Sequence, residues 1–396
     1  MSVKVKVNAK AKVDNLGENT FSDSISYHNF INAIRSPATR KGYRNSLKRY
    51  MNYHKITNTD DLLKDQSNPK LIERQIIDYI MSLRNDNVSY GTIQYFVAPV
   101  FTFYNLNDVQ LNRKKVSRYL GEFKRVVKDM AYSTEQIQIA LQNADSRMRM
   151  ILLLMASTGC RIGALPSLKL GDLTKKPKYE IYKIVFYEST NNEYYSFTTR
   201  ECALSGIDNY LLYRQRCGEK ITFNDKTQKW EPEDTPLIRL QFDATDLLHA
   251  RSPRHMTLKG LAQALDAHLN RSGIRQVEHP TESGNNNNNN NNRIRKPVSL
   301  SNGFRKHVIS TFIEAELNHE IRELLVDHAT QLDQYYFRPT EDKVLQEYLK
   351  AEPLLTIDPS LRLQHENKSL REENREIQRA LSKIDRLYTE LGISQE

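Results

Sequence analysis

The chain has 396 residues, and its 58 Lys and Arg against 48 Asp and Glu leave a formal net charge of +10, with a pI near 9.2. That length supports more than one buried core and excludes a single small module, while the basic surplus favours a polyanionic partner such as nucleic acid. Three scattered cysteines (Cys160, Cys202 and Cys217) exclude a disulfide framework and a zinc site, and no apolar run reaches the roughly 18 residues of a membrane-spanning helix.

In chain order, residues 1–24 read as a flexible tail. They alternate Val with Lys and then turn Asn/Ser-rich, with neither an apolar h-region nor enough apolar surface to fold alone. A soluble, cytoplasmic protein with no membrane partner is expected. Ser36-Pro37 is an N-cap followed by proline at the first helical position. Tyr43, Leu47, Tyr50 and Met51 then recur at helical spacing, with Arg40, Lys41, Arg44 and Lys48 on the other side. Helical patterns follow at 71–83 and at 92–104, where Pro99 is expected to kink or divide the helix. Residues 111–128 read as a second basic helix, with Val116, Tyr119, Leu120 and Phe123 inward and Lys114, Lys115, Arg118 and further basic residues outward. Residues 25–128 thus form an all-α unit whose basic helices could neutralise backbone phosphates of double-stranded DNA.

Ser133-Thr134-Glu135 caps a further helix, and 148–156 is apolar enough to belong in a core. A hairpin is predicted from 179–187 and 194–199, since Tyr182, Ile184 and Phe186 alternate against Ile181, Lys183, Val185 and Tyr187. Helical spacing returns at 202–213, and 218–235 reads as an irregular connection. Eight asparagines at 285–292 mark an exposed, disordered loop near 281–295. Helical patterning resumes at 302–316 and continues past His328, so 129–352 is a second, mainly helical unit with a small sheet. The extension 353–396 carries Leu363, Leu370, Ile377, Ile384 and Leu391 every seven residues, with Asn367, Asn374, Leu381 and Tyr388 as companions. This is a coiled-coil pattern, and the alternative is a single helix folded back on its own unit.

Chemistry concentrates in two segments. In Ser157-Thr158-Gly159-Cys160-Arg161-Ile162-Gly163, an arginine follows an apolar helix and a Thr-Gly break, where it either grips a phosphate or pairs with a carboxylate. In Asn302-Gly303-Phe304-Arg305-Lys306-His307, a second arginine opens a helix, followed by His328 and then Tyr335-Tyr336. Two arginines, a histidine and a tyrosine, without a metal-ligand cluster or a phosphate-binding glycine loop, suit attack of a tyrosine hydroxyl on a phosphodiester. The arginines would neutralise the non-bridging oxygens as charge builds, and the histidine would assist by hydrogen bonding or proton transfer.

On these motifs the chain resembles the tyrosine recombinase (phage integrase) family, over roughly residues 25–356, and most closely the integrases of archaeal viruses and mobile elements. Residues 157–165 with 168–173 look like the box around the first catalytic arginine, and 303–307 like the second-arginine box. Leu325-Val326-Asp327-His328 takes the place of the Leu-Gly-His element, and 332–341 look like the nucleophile segment. The resemblance implies a mainly α protein: an all-α core-binding (SAM-like) domain, an α+β, mostly helical catalytic domain with a small antiparallel sheet, and a coiled-coil-like C-terminal helix. It also implies Arg161, Arg305 and His328 as catalytic residues and Tyr336 as nucleophile, with Tyr335 the alternative. The implied activity is metal- and ATP-independent strand cleavage through a 3′-phosphotyrosyl intermediate, by a homotetramer on two DNA sites in a nucleoid-associated setting. The chain departs from the pattern at three places. Asn302 stands where the family has histidine or lysine, Ala164 where some members have an acid, and the hairpin turn 188–193 has no lysine, which leaves Lys183 as a substitute. Those departures keep open a non-catalytic DNA-binding protein, and the chemistry alone keeps open a type IB topoisomerase-like relaxing enzyme.

Overall fold

A computed structural model describes residues 24–123, 130–275, 298–328 and 338–390. The chain divides into two compact units, 1–126 and 127–396.

The described part of the first unit is helical: α1 (Ile25–Asn32), α2 (Pro37–Tyr53), α3 (Pro69–Asn85), α4 (Tyr90–Leu106) and the short α5 (Arg113–Ser117). Ser24 and Ser36 cap α1 and α2 by accepting from the N–H groups of Tyr27 and Thr39. Phe30, Leu47, Tyr50, Ile76 and Phe103, from the first four helices, meet in one core from which solvent is excluded. Pro99 neither divides nor ends α4, which runs through it. The carbonyl that the proline ring frees belongs to Tyr95, an exposed residue that water can reach. The expected helix at 111–128 is corrected. After α5 a single tight turn, Arg118–Leu120, ends at Gly121, whose φ of +88° stops the helix. Val116 and Leu120 are buried as expected, but Tyr119 and Phe123 are exposed, and residues 124–128 of the expected helix lie outside the described residues.

The second unit begins with α6 (Thr134–Gln142), held by the reciprocal capping box of Ser133 and Gln136. Next comes α7 (Ser146–Thr158), whose residues from Met150 to Thr158 are all buried. α7 ends where Gly159 turns left-handed, at φ +62°. A three-stranded antiparallel sheet follows, β1 (Leu173–Lys176), β2 (Ile181–Phe186) and β3 (Tyr194–Phe197), in the order β1-β2-β3, with Ile184 opposite both Leu173 and Ser196. The expected hairpin is β2 and β3. Its strand alternation is observed, with Tyr182, Ile184 and Phe186 packed on the α7 core and Ile181 and Phe197 on a second core. A wide π-type turn at Cys202–Asp208 leads into α8 (Asn209–Arg216).

The connection at 218–235 is corrected: it holds a second hairpin, β4 (Thr222–Asn224) with β5 (Lys229–Glu231). Trp230 fixes it to the sheet, since its indole N–H donates to the Tyr182 hydroxyl (2.9 Å), which in turn donates to Asp208 (2.6 Å). α9 (Leu247–Ala250) and α10 (Leu258–Arg271) complete this side, and Leu261, Leu265 and Leu269 of α10 join the α7 core. On the other side α11 (Asn302–Glu314), α12 (His319–Leu325) and α13 (Glu341–Leu355) gather Val308, Phe312, Leu325, Leu345 and Tyr348 into the second core. The Tyr348 hydroxyl donates to the Ser157 carbonyl (3.0 Å), which pins α13 to the last turn of α7. The chain leaves through α14 (Pro359–Glu390). The asparagine run and residues 329–337 lie outside the described residues.

Candidate functional site

Three chain segments converge beside the C-terminus of α7. The first is the break after α7, where Gly159 turns the chain so that Arg161 leaves the core with 45 % of its side chain exposed. The second is the first turn of α11, which carries Arg305, with 8 % exposed, into the interior. The third is Val326-Asp327-His328, just past α12, where Asp327 takes a φ of +53°.

The three segments are tied by their guanidinium groups. Arg305 donates to the carbonyl of Gly159 (2.9 Å) and to that of Val326. Arg161 donates to the next carbonyl along, that of Asp327 (2.9 Å), and pairs with the Asp327 carboxylate. Consecutive carbonyls thus hold the two arginines side by side. Burial, and then the neighbouring charge of Arg161, lowers the affinity of Arg305 for its proton below the ordinary arginine value. The bonds from Arg305 to Gly159 and Val326 end on backbone oxygens, so they orient the guanidinium without cancelling its charge. Two guanidiniums at one point, one of them neutralised by Asp327, form a site with surplus positive charge, which suits a phosphodiester.

Asp327 answers the question left by Ala164. The acid that orients Arg161 comes from a different segment, next to His328 in sequence. The His328 ring nitrogen Nδ1 lies 2.8 Å from the Glu323 carboxylate on α12. That bond fixes the ring and leaves Nε2 as the ring nitrogen available to a ligand. Glu323 is held below the usual carboxylate range: burial raises it, but Arg322 and His328 more than offset that.

Tyr187, just past β2, feels the charges of both arginines, and Tyr194, which opens β3, feels that of Arg305; burial pushes both hydroxyls up from the ordinary tyrosine value. The sequence patterns place both tyrosines in the predicted hairpin and mark neither as a site residue. The only signal for Tyr187 was its place beside the lysine-free turn, and it takes a φ of +55° there. Asn302 opens α11 as an exposed residue, one turn before Arg305. Lys183 is placed differently from the substitute role expected of it. Its ammonium pairs with Glu341 (2.6 Å) at the first turn of α13 and sits 4.6 Å above the Tyr195 ring. Lys176 pairs with the same carboxylate (2.5 Å). His307 is buried, and that burial lowers its pKa. Cys160 is buried, and its thiol is pushed up to about 11 by that burial. Tyr335 and Tyr336 lie outside the described residues. Among the described residues no three His, Cys, Asp or Glu side chains gather as a metal-ligand set.

In the first unit the expected phosphate contacts differ in how far they are free to act. Lys41, Arg44, Lys114 and Arg118 are exposed, although the Arg44 Nε also donates to the Tyr27 hydroxyl (2.8 Å). Arg40 is half-buried and donates to the Ile34 carbonyl (2.6 Å), and Lys48 is half-buried. Lys115 pairs with the buried Glu73 (2.7 Å), which also accepts the N–H of Asn112, so that lysine anchors α5 to α3.

The sequence matches no family model and no curated protein. Among solved structures it is similar to the Tn1549 transposon integrase in complex with transposon right end DNA, at 12% identity and a TM-score of 0.48, over 82% of this chain and 98% of that one. It is also similar to a lambda integrase dimer bound to a COC′ core site (11% identity, TM-score 0.47, 81% and 92% covered) and to the XerA recombinase (15%, 0.35, 81% and 96%). No helix among the described residues is long and apolar enough to cross a membrane.

Proposed function

We propose that the protein is a site-specific tyrosine recombinase that cleaves and rejoins strands of double-stranded DNA, integrating or excising a mobile element. The observation that carries the reading is the pairing of Arg161 and Arg305 on the consecutive carbonyls of residues 326 and 327, with His328 next in the chain. A scissile phosphate seated there would have its non-bridging oxygens met by the two guanidiniums, whose charge counts most as the phosphorus becomes pentacovalent. The His328 Nε2 would hydrogen-bond to the same group. Tyr336, eight residues beyond His328, is the proposed nucleophile, with Tyr335 as the alternative. Attack by its hydroxyl oxygen forms the phosphotyrosyl ester at the 3′ end and expels the 5′-oxygen, which takes up a proton. Attack by the 5′-hydroxyl of another duplex reverses the step and releases the tyrosine. The ester conserves the energy of the phosphodiester bond that is broken, so the reaction needs no nucleotide. The exposed basic residues of the first unit would hold the duplex backbone, and a tetramer on two sites is the proposed working assembly.

A second reading, a DNA-binding protein that has lost strand cleavage, is favoured by Lys183 being engaged by Glu341 and by the lysine-free turn at 188–193. The two are separated by incubating the purified protein with EDTA and suicide duplexes drawn from the flanks of the element that encodes it. A covalent protein–DNA band that disappears in Tyr336→Phe supports cleavage by Tyr336. Loss only in Tyr335→Phe moves the nucleophile by one residue. Tight binding with no adduct on any substrate favours the second reading.

A further inference from the structure

The 32-residue helix α14 presents four large apolar side chains to solvent among those described. Leu363 is 58% exposed, Leu370 49%, Ile377 49% and Leu381 48%. They lie on one seam, and folding back on the unit that carries them would have buried them. The repeat along the seam is seven residues, with the asparagines Asn367 and Asn374 in the alternate positions. A strict seven-residue repeat falls short of two turns of a straight helix. It keeps one face aligned only when the helix supercoils around a partner of the same period. Counting the step of four from each leucine or isoleucine to its companion places Leu363, Leu370 and Ile377 at the d positions. Asn367, Asn374 and Leu381 then fall at the a positions.

We infer that α14 is the dimerisation element of this protein and takes a second copy of itself as partner, in a parallel, in-register two-stranded coiled coil. Three features of the helix select that partner and that alignment. Asparagines at a positions satisfy their amides by meeting each other across a parallel pair. In register, Asn367 and Asn374 each face themselves, whereas a slip of one heptad sets Asn374 against Leu381. The flanking charges agree. Glu366 precedes an a position and Arg371 follows a d position, so in a parallel pair the Glu366 of one copy reaches the Arg371 of the other, twice by symmetry. An antiparallel pair would instead bring the glutamates at 366 and 373 toward each other. Both Glu366 and Arg371 are exposed in the single chain, and the Asn367 amide bonds to the Leu363 carbonyl of its own helix (2.8 Å). The seam is long enough to hold two chains together, because 32 residues at 1.5 Å each span about 48 Å, and the heptads continue in the sequence through Ile384, Tyr388 and Leu391.

The test uses the full chain without DNA. Sedimentation equilibrium is expected to give twice the 46.2 kDa chain mass. Leu370→Glu combined with Ile377→Glu should weaken the dimer by at least about 100-fold, since two apolar side chains leave each strand of the seam. Both residues are exposed in the single chain, so the helical circular dichroism of the rest is expected to persist. Register is read by oxidising Asn374→Cys in a Cys217→Ser background, where Cys160 and Cys202 are buried. A disulfide-linked dimer is expected there, and none from Arg379→Cys on the outer face. A chain that stays monomeric at 100-fold above the working concentration overturns the inference, as does a dimer that survives the double glutamate substitution. A dimer that cross-links through Arg379→Cys but not Asn374→Cys overturns the alignment.

Discussion

Arg161 and Arg305 carry the same charge toward the same point, yet their surroundings predict opposite costs of removal. Arg305 is 8% exposed, and its two donors satisfy the carbonyls of Gly159 and Val326 in the interior. Arg305→Ala leaves both oxygens without those donors, at about 1–3 kcal/mol each, so a loss of about 2–6 kcal/mol is expected. The Arg161 side chain is 45% exposed and its Asp327 partner 29%. Water takes over the carboxylate when the arginine goes, and Arg161→Ala should change stability by no more than about 1 kcal/mol. Cleavage should not follow stability. Each guanidinium stabilises charge that develops in the transition state, so the rate of covalent adduct formation should fall about 10²–10³-fold in both variants. Urea unfolding followed by the fluorescence of Trp230 isolates the stability effect, because that residue is the single tryptophan of the chain and lies buried in the unit that carries both arginines. The adduct is read on a denaturing gel with a suicide duplex. An Arg161→Ala protein as destabilised as Arg305→Ala would refute the assignment of Arg161 to a partly solvated pair. Adduct formation within tenfold of the parent would refute its place at the phosphate.

Three further predictions concern the remaining electrostatics. Burial, opposed by the Lys169 N–H and reinforced by Glu188, pushes the Asp172 carboxyl from 3.8 up to about 6. The folded chain therefore binds this proton more tightly than the unfolded one, and its contribution to stability is complete below pH about 4 and is lost as pH rises through about 6. Asp172→Asn, which keeps an acceptor for the Lys169 N–H (2.8 Å), should flatten the Trp230 urea midpoint across that window, and an unchanged slope would refute the cause. In the first unit, Lys114→Ala with Arg118→Ala should reduce the salt dependence of DNA binding by about 0.9 in slope for each phosphate no longer neutralised, measured by fluorescence anisotropy at several ionic strengths. Lys115→Ala should instead act mainly on the stability of that unit, because its partner Glu73 is buried.

Much of the fold is legible because the elements are defined locally. The cap at Ser133, the unbroken apolar run of α7 and the alternation of β2 need only neighbours in sequence, and each sits where its pattern places it. The elements that escape are those whose local pattern is weak and whose stability is tertiary. The hairpin of β4 and β5 has three residues per strand and is held by Trp230 on the Tyr182 hydroxyl, 48 residues away. The helix expected at 111–128 shows the converse failure. Its hydrophobic spacing is helical, but Gly121 takes a left-handed φ and breaks the ladder, leaving Tyr119 and Phe123 exposed.

The site divides along the same line. Arg161 and Arg305 stand out in the sequence because a guanidinium beside an apolar helix demands a partner, but the partner cannot be read from either segment. Asp327 lies 166 residues from Arg161, while the nearby position where an acid would be expected holds Ala164. The same reasoning explains Lys183. Its strand position is correct, yet its charge is spent on Glu341, 158 residues away, and the pair also engages Lys176. A carboxylate shared by two lysines at the start of α13 holds the sheet to the helix that follows the proposed nucleophile segment. The lysine is thereby bound to the architecture around the site. What the hairpin turn offers the two arginines is Tyr187, whose hydroxyl is raised by burial and which feels Arg161, Asp327 and Arg305. Residue type names the arginines, because a guanidinium keeps its charge at neutral pH even where it is buried, as at Arg305. Which groups orient them is decided by chain segments that meet only after folding.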